Sequence, residues 1–374
     1  MPGREALNLV REFLFPGRHR GSSIPPLDGG LTPNDRLDEL EPAHEAPVQE
    51  PDDVVLDADG SLLVTSGRSL LRLSGPRFRD RSVVASFDGE AGAIARDGDG
   101  GVFVCVAGAG LLRVGPDATT TVVTDVADDG QPVQCPTGVA VAGDGTVYLT
   151  DGSKRHHGGD WVRDLMELNA LGRLLRCPRS GGRAQVLADG LRYPSGLCLS
   201  PEEDALVVSE AWAHRLVRYP LADIRSPEQI RANLPGYPGR IAPAADGGYW
   251  LAVFALRTQL VEFVLTQRDY VEQMMRIIEP DYWIRPALRT LNSGLEPLQG
   301  GQIRKLGVIK PWAPPRSYGL VARIEEDGHA QSSLHSRGGA NRHGVTSARQ
   351  FGDRLLIAAR GGDLVLESTV GGMR

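Results

Sequence analysis

Six times along this chain a segment led by Pro or Gly opens an apolar strand, meets a short turn, acidic and Gly-bearing in most copies, and returns as a second apolar strand. The copies open at Pro51, Gly92, Pro136, Pro194, Pro238 and near Gly344, with turns at 57–60, 97–100, 144–145, 201–204, 246–248 and 352–353. Asp-Gly between apolar runs is a hairpin signal, because glycine accepts the positive φ that tight hairpin turns require. A third strand follows most hairpins, at 70–73, 111–114, 174–176 and 216–219, and segments such as 83–87, 121–126 and 184–187 supply a fourth. Short antiparallel four-stranded units recurring every ~40 to 50 residues predict a six-bladed β-propeller, an all-β fold.

The ring accounts for the length. A closed propeller can use 374 residues as one domain, here 51–374, preceded by an extension over 1–50. The last hairpin lies too close to the end of the sequence to complete four strands, so residues upstream of Pro51 are expected to clasp the ring and cover its edge. In that extension Ala6, Leu7, Leu9, Val10, Phe13 and Leu14 fit one helix face, either docked on the ring or resting on a membrane. Two insertions break the period, at 151–172 and 257–312. The second carries Leu260, Val261, Val264, Leu265, Val271, Met274, Met275 and Ile278 at helical spacing. After a break at 279–281, Trp283, Ile284, Ala287 and Leu288 predict a second short helix. This insertion in the fifth blade reads as a lid over the channel, with side packing, a subunit contact or a peripheral membrane contact as alternatives.

Composition removes several classes. A net charge of −6 argues against nucleic acid, which demands a basic face. No apolar run of about 18 residues occurs, so no transmembrane segment is expected. Arg11 and Glu12 interrupt the only early apolar stretch, which does not read as a secretory signal. Cys105, Cys135, Cys177 and Cys198 lack metal spacing and read as buried free thiols of a cytoplasmic protein, with Cys135 alone beside a channel-facing turn.

The strings Pro-Thr-Gly-Val-Ala at 136–140, Tyr-Leu-Thr-Asp at 148–151, Gly-Arg-Leu-Leu at 172–175, Asp-Gly-Leu at 189–191, Tyr-Pro-Ser-Gly at 193–196 and Asn-Leu-Pro-Gly-Tyr-Pro at 233–238 together resemble the strictosidine synthase-like proteins. These belong to the wider superfamily of gluconolactonase and paraoxonase propellers, and the resemblance spans residues 50 to 366. It implies a small-molecule enzyme with its site at the top of the channel. In metal-dependent members the inner-strand entries hold calcium; here those places carry Asp52, Thr137, Ser195 and Gly239. Calcium takes about six to eight oxygens, so this set predicts no cofactor, or a weakly held calcium on Asp52. Where bond-forming members place a catalytic Glu, this chain has Thr346.

The channel positions then offer Asp52, Arg240 and His343 as catalytic candidates and Thr137, Ser195, Asp151 and Glu210 as substrate contacts. Arg240 suits a carboxylate or oxyanion, or else pairs with Asp52 structurally. His343 suits general base catalysis near neutral pH. His156 and His157, being adjacent, point apart and make a poor shared ligand. The reading is a lactone or ester hydrolase acting on a small molecule. The alternatives are a C–N or C–C bond-forming or lyase enzyme, or a non-catalytic binding propeller in which Arg240 and Asp52 neutralise each other.

Overall fold

A computed structural model gives the fold. It describes residues 24–178, 180–289, 317–338 and 340–373, and the backbone of two short strands, Arg304–Lys305 and Val308–Ile309. The helix expected at 6–14 lies outside the described residues.

Six antiparallel sheets form the blades. The first four each contain four strands in chain order from the centre outward, beginning with Pro51–Leu56, Ala91–Arg96, Pro136–Val141 and Pro194–Leu199. The fifth begins with Gly236–Pro243 and Tyr249–Leu256, then resumes after the insertion with Gly319–Ile324 and Ala330–Ser336. The sixth has three strands, Val345–Phe351, Arg354–Ala359 and Leu364–Thr369. Each first strand touches the first strands of both neighbouring blades, and the sixth touches the first, so the ring is closed.

The hairpin chemistry is local. Gly60, Gly100 and Gly145 take φ of +81°, +86° and +81°, where a side chain would be strained. The acidic residues beside them cap the free N–H groups: Asp59 Oδ1 accepts from Ser61 N at 2.9 Å and Asp97 Oδ1 from Gly101 N at 2.7 Å.

Alternation along a blade strand does not separate core from solvent. It separates two cores, because each blade is packed on both faces. Leu70 joins the cluster between the first and second blades with Ile94 and Val104, whereas Leu71 joins that between the sixth and first with Leu356 and Val365. Four further inter-blade clusters complete the circle. Fully burying each such Leu or Val contributes about 1.5–3 kcal/mol.

Residues upstream of Pro51 run beside the outermost strand of the sixth blade: Ala43 N donates to Val365 O at 2.8 Å, and Pro42 bridges Leu366. Earlier residues lie along the fifth blade, where Leu37 N donates to His335 O at 3.1 Å.

In the fifth-blade insertion, helices Gln259–Thr266 and Arg268–Ile277 bury Val261, Val264, Leu265, Val271 and Met274. The second short helix expected around 283–288 does not form. A 3-10 turn, Pro280–Tyr282, is followed by extended chain in which Pro286 offers no N–H to continue a helix. Trp283 is nevertheless buried, donating Nε1–H to Ile278 O at 2.7 Å. The third-blade insertion holds a helix the sequence analysis did not assign, Trp161–Glu167.

Candidate functional site

All six first strands deliver a residue to one cavity on the ring axis: Asp52, Gly92, Thr137, Ser195, Arg240 and Thr346. Its volume is about 120 Å³, and it opens to solvent. Its floor is ionic and its wall aromatic.

On the floor, Asp52 is 5% exposed and lies between two guanidinium groups. Arg240 crosses from the fifth blade, its Nη2 hydrogen-bonded to Asp52 Oδ2 and its Nη1 donating to Asp52 O at 2.9 Å. Arg360 Nη1 stands 3.4 Å from Asp52 Oδ1, and its Nη2 lies 3.2 Å from Glu90 Oε2 and 3.6 Å from Glu50 Oε2. The neighbouring Asp53 is fully buried beneath this layer and held by Arg349 at 2.8 Å and by the Ile94 N–H at 3.0 Å. Burial pushes the Asp53 carboxyl up, but the charges of Arg349 and Arg240 and these hydrogen bonds outweigh it and hold the group below the usual carboxylate range. Burial likewise opposes the charge on Arg240, and Asp52 and Asp53 more than restore it, so its pKa is raised.

The wall is built from Trp161, Tyr193 and Phe254, with Leu288 of the insertion at the mouth. Trp161 stacks on Trp212 at 6.1 Å and meets Phe254 edge-on at 5.6 Å, while Tyr193 stacks on Trp212 at 4.4 Å. Asp164 anchors the layer by accepting from Trp212 Nε1 at 2.8 Å and Ser153 Oγ at 2.6 Å.

The structure thus brings together Asp52, Thr137, Ser195 and Arg240 of the residues singled out from sequence. Three others are corrected. His343 does not line the cavity: it is 4% exposed, its Nε2 donating to Arg337 O at 3.1 Å and its Nδ1 accepting from Ser317 at 2.8 Å. Burial lowers its pKa, and both ring nitrogens are engaged in holding the chain before the sixth blade. Asp151 points away from the axis into a fully buried pair with Arg173 at 2.6 Å and accepts from Cys135 N at 2.8 Å. Glu210 does the same in the fourth blade, accepting from Arg215 Nε at 2.7 Å and Arg192 N at 2.8 Å. His156 pairs with Glu167 at 2.8 Å, inside the insertion. The residues missed are Glu90, Trp161, Tyr193, Phe254 and Arg360. Their signal is positional: Glu90 and Tyr193 stand one residue before a first strand, and Arg360 one residue after a second strand, where side chains overhang the mouth.

The four inner positions offer calcium few free donors. Thr137 Oγ1 is hydrogen-bonded to Pro194 O, and Ser195 Oγ donates to Pro238 O at 2.6 Å, so both hydroxyls are turned to the next blade. Gly239 has no side chain, and both Asp52 oxygens face guanidinium groups. Among the described residues, no group of three or more His, Cys, Asp or Glu is arranged to hold a metal.

The strictosidine synthase family model matches residues 137–223. The adipocyte plasma membrane-associated protein of Salmo salar is 27% identical over 357 residues, covering 90% of this chain and 80% of that protein. The Mus musculus protein of the same name is 27% identical over 293 residues, covering 72% and 70%. Among solved structures, a gluconolactonase from Xanthomonas campestris superposes with a TM-score of 0.55 at 15% identity over 87% of both chains. Regucalcin from Agrobacterium tumefaciens, a calcium-binding protein, gives 0.55 at 16% identity over 88% of this chain and 92% of that one. The two solved structures share the fold of this chain. No described helix is long and apolar enough to cross a membrane.

Proposed function

We propose that this chain, a strictosidine synthase-like propeller of the gluconolactonase type, hydrolyses a small lactone or ester whose apolar body lies against Trp161, Tyr193 and Phe254. One observation carries the reading. At the mouth of an aromatic-walled cavity, a guanidinium held by carboxylates, Arg360, stands 3.2 Å from Glu90, a carboxylate that solvent reaches. In this reading Glu90 takes a proton from water, and the hydroxide adds to the substrate carbonyl. Arg360 stabilises the resulting oxyanion. Collapse breaks the carbonyl carbon to oxygen bond, and the proton on Glu90 passes to the departing alkoxide. No step uses a metal.

The bond-forming alternative loses support at Thr346, whose hydroxyl donates to Asp52 O at 2.8 Å and offers no acid or base. The non-catalytic reading keeps one observation in its favour, the neutralisation of Asp52 by Arg240 and Arg360.

A panel of aliphatic and aromatic lactones and esters, assayed with and without EDTA, tests the proposal. Turnover unaffected by chelator is expected, falling about 100-fold or more in Glu90→Gln and Arg360→Met. Saturable binding weakened by Trp161→Ala but without turnover by the unaltered protein favours the non-catalytic propeller.

A further inference from the structure

We infer that the Arg240 guanidinium is the resident cation of this channel, occupying by covalent attachment the place where a propeller of this shape would otherwise bind a metal ion. The inference rests on the oxygen atoms around it. Arg240 leaves the fifth blade and inserts its head among oxygens of the first and sixth: the Asp52 carboxylate, the Asp52 carbonyl at 2.9 Å, the Thr346 carbonyl at 3.5 Å and the Asp53 carboxylate at 3.7 Å. Carboxylates and main-chain carbonyls converging from separate blades are the shell a hard cation takes. Here a side chain fills it, with only 13% of that side chain exposed.

The neighbours fit the same role. Gly92, facing this point from the second blade, leaves room for the head: a Cβ there would stand 3.3 Å from Arg240 Nη2 and 3.4 Å from Asp52 Oδ2. Thr346 Oγ1 donates to the same Asp52 carbonyl that Arg240 engages, fixing it from the sixth blade. Arg360 brings a second positive charge to the other oxygen of Asp52. A divalent ion entering would face two guanidinium groups and find the Asp52 carboxylate already shared between them. A fixed arginine cannot be chelated or deprotonated, so the inter-blade tie at the axis is permanent. Its test does not depend on turnover and so fails separately from the hydrolase reading.

The test is thermal unfolding and calorimetric titration of the full chain. Calcium chloride titrated into EDTA-treated protein is expected to give no binding heat, and Tm is expected to be the same with calcium or EDTA. Arg240→Met leaves Asp52 and Asp53 without the cation between them and is expected to lower Tm by about 4 °C or more. The double variant Asp52→Asn with Arg240→Met removes charge from both sides and is expected to recover at least half of that loss. If Arg240→Met does not accumulate as folded protein and the double variant does, the inference stands. One-to-one calcium binding by the unaltered protein, or an Arg240→Met variant that melts with it, overturns the inference.

Discussion

Gly361→Ala probes how the insertion is seated over the channel. Just after the second strand of the sixth blade, a Cβ at this position would lie 1.9 Å from Leu288 O, 2.7 Å from the Leu288 carbonyl carbon and 2.9 Å from His343 O. All three are backbone atoms, so no rotamer change relieves the overlap. Ordinary contact begins near ~3.5 Å, so the segment of the insertion carrying Leu288 must retreat by about 1.5 Å. Beside it Arg289 reaches Glu50 at 2.7 Å and Asp363 at 3.7 Å, but all three side chains are more than 40% exposed and such pairs contribute under about 1 kcal/mol. Overpacking of this kind costs about 1–3 kcal/mol, which for a chain of this size lowers Tm by roughly 1–4 °C. Because Leu288 lines the mouth, its retreat should also speed entry of an apolar ligand. Calorimetry and stopped-flow association of an apolar fluorescent probe read both effects, with Gly371→Ala, where a Cβ meets nothing, as control. A Gly361→Ala protein that melts within about 1 °C of the parent and admits the probe at the same rate refutes the seating.

Asp151→Asn strips the partner from a fully buried Arg173 and should cost about 3–5 kcal/mol by urea unfolding, while Asp129→Asn, altering the more exposed member of the same network, should cost less than about 1 kcal/mol. Burial and the nearby Arg337 charge hold the His335 imidazole down to about 4, against an unfolded value near ~6.5. The native state therefore binds fewer protons than the unfolded chain between those values. Stability is full above pH ~6.5 and falls by up to about 3 kcal/mol as pH drops to about 4; His335→Asn should flatten that slope in urea titrations across the window. Cys105 occupies in the second blade the place held by Thr65 in the first, whose hydroxyl donates to Gly92 O of the next blade at 2.8 Å. Cys105→Ser should therefore cost less than about 0.5 kcal/mol, whereas an unpartnered buried hydroxyl costs about 1–3 kcal/mol.

The ring was readable because its punctuation is local and repeated. Turns at 57–60 and 97–100 mark hairpins whatever surrounds them, and their spacing alone implies blades. The same residues say nothing of direction at the axis, where one position decides everything. Asp151 and Glu210 end second strands and turn outward to Arg173 and Arg215, whereas Arg360, one residue past its strand, overhangs the cavity. A single step along a strand reverses the side chain's direction, and bulges within Pro51–Leu56, Pro136–Val141 and Pro194–Leu199 shift the count at the strand entries. Reading Asp52, Thr137, Ser195 and Arg240 into one channel survives because those entries share a place in the repeat. His343 fails because it precedes the entry in a segment whose course is set by Ser317 and Arg337. Trp161 was hidden for another reason, since a seven-residue helix inside an insertion has too little periodicity to stand out.

The inner positions that carry no carboxylate are not idle. Ser195 donates to Pro238 O, Thr346 to Asp52 O and Thr65 to Gly92 O, each from one blade to the backbone of the next, and Thr137 makes the same link to Pro194 O. Arg240 adds the link from the fifth blade to Thr346 O. A buried carbonyl left unpaired costs about as much as a lost hydrogen bond, and first strands crowded round an axis turn carbonyls toward it that no sheet partner reaches. In a metal-bearing ring an ion can satisfy several of these at once. Here hydroxyls and one guanidinium satisfy them, which engages the polar groups at the bottom of the channel. On the hydrolase reading proposed above, the ligand would meet Glu90 and Arg360, which stand at the ends of strands and not within them, at the aromatic mouth.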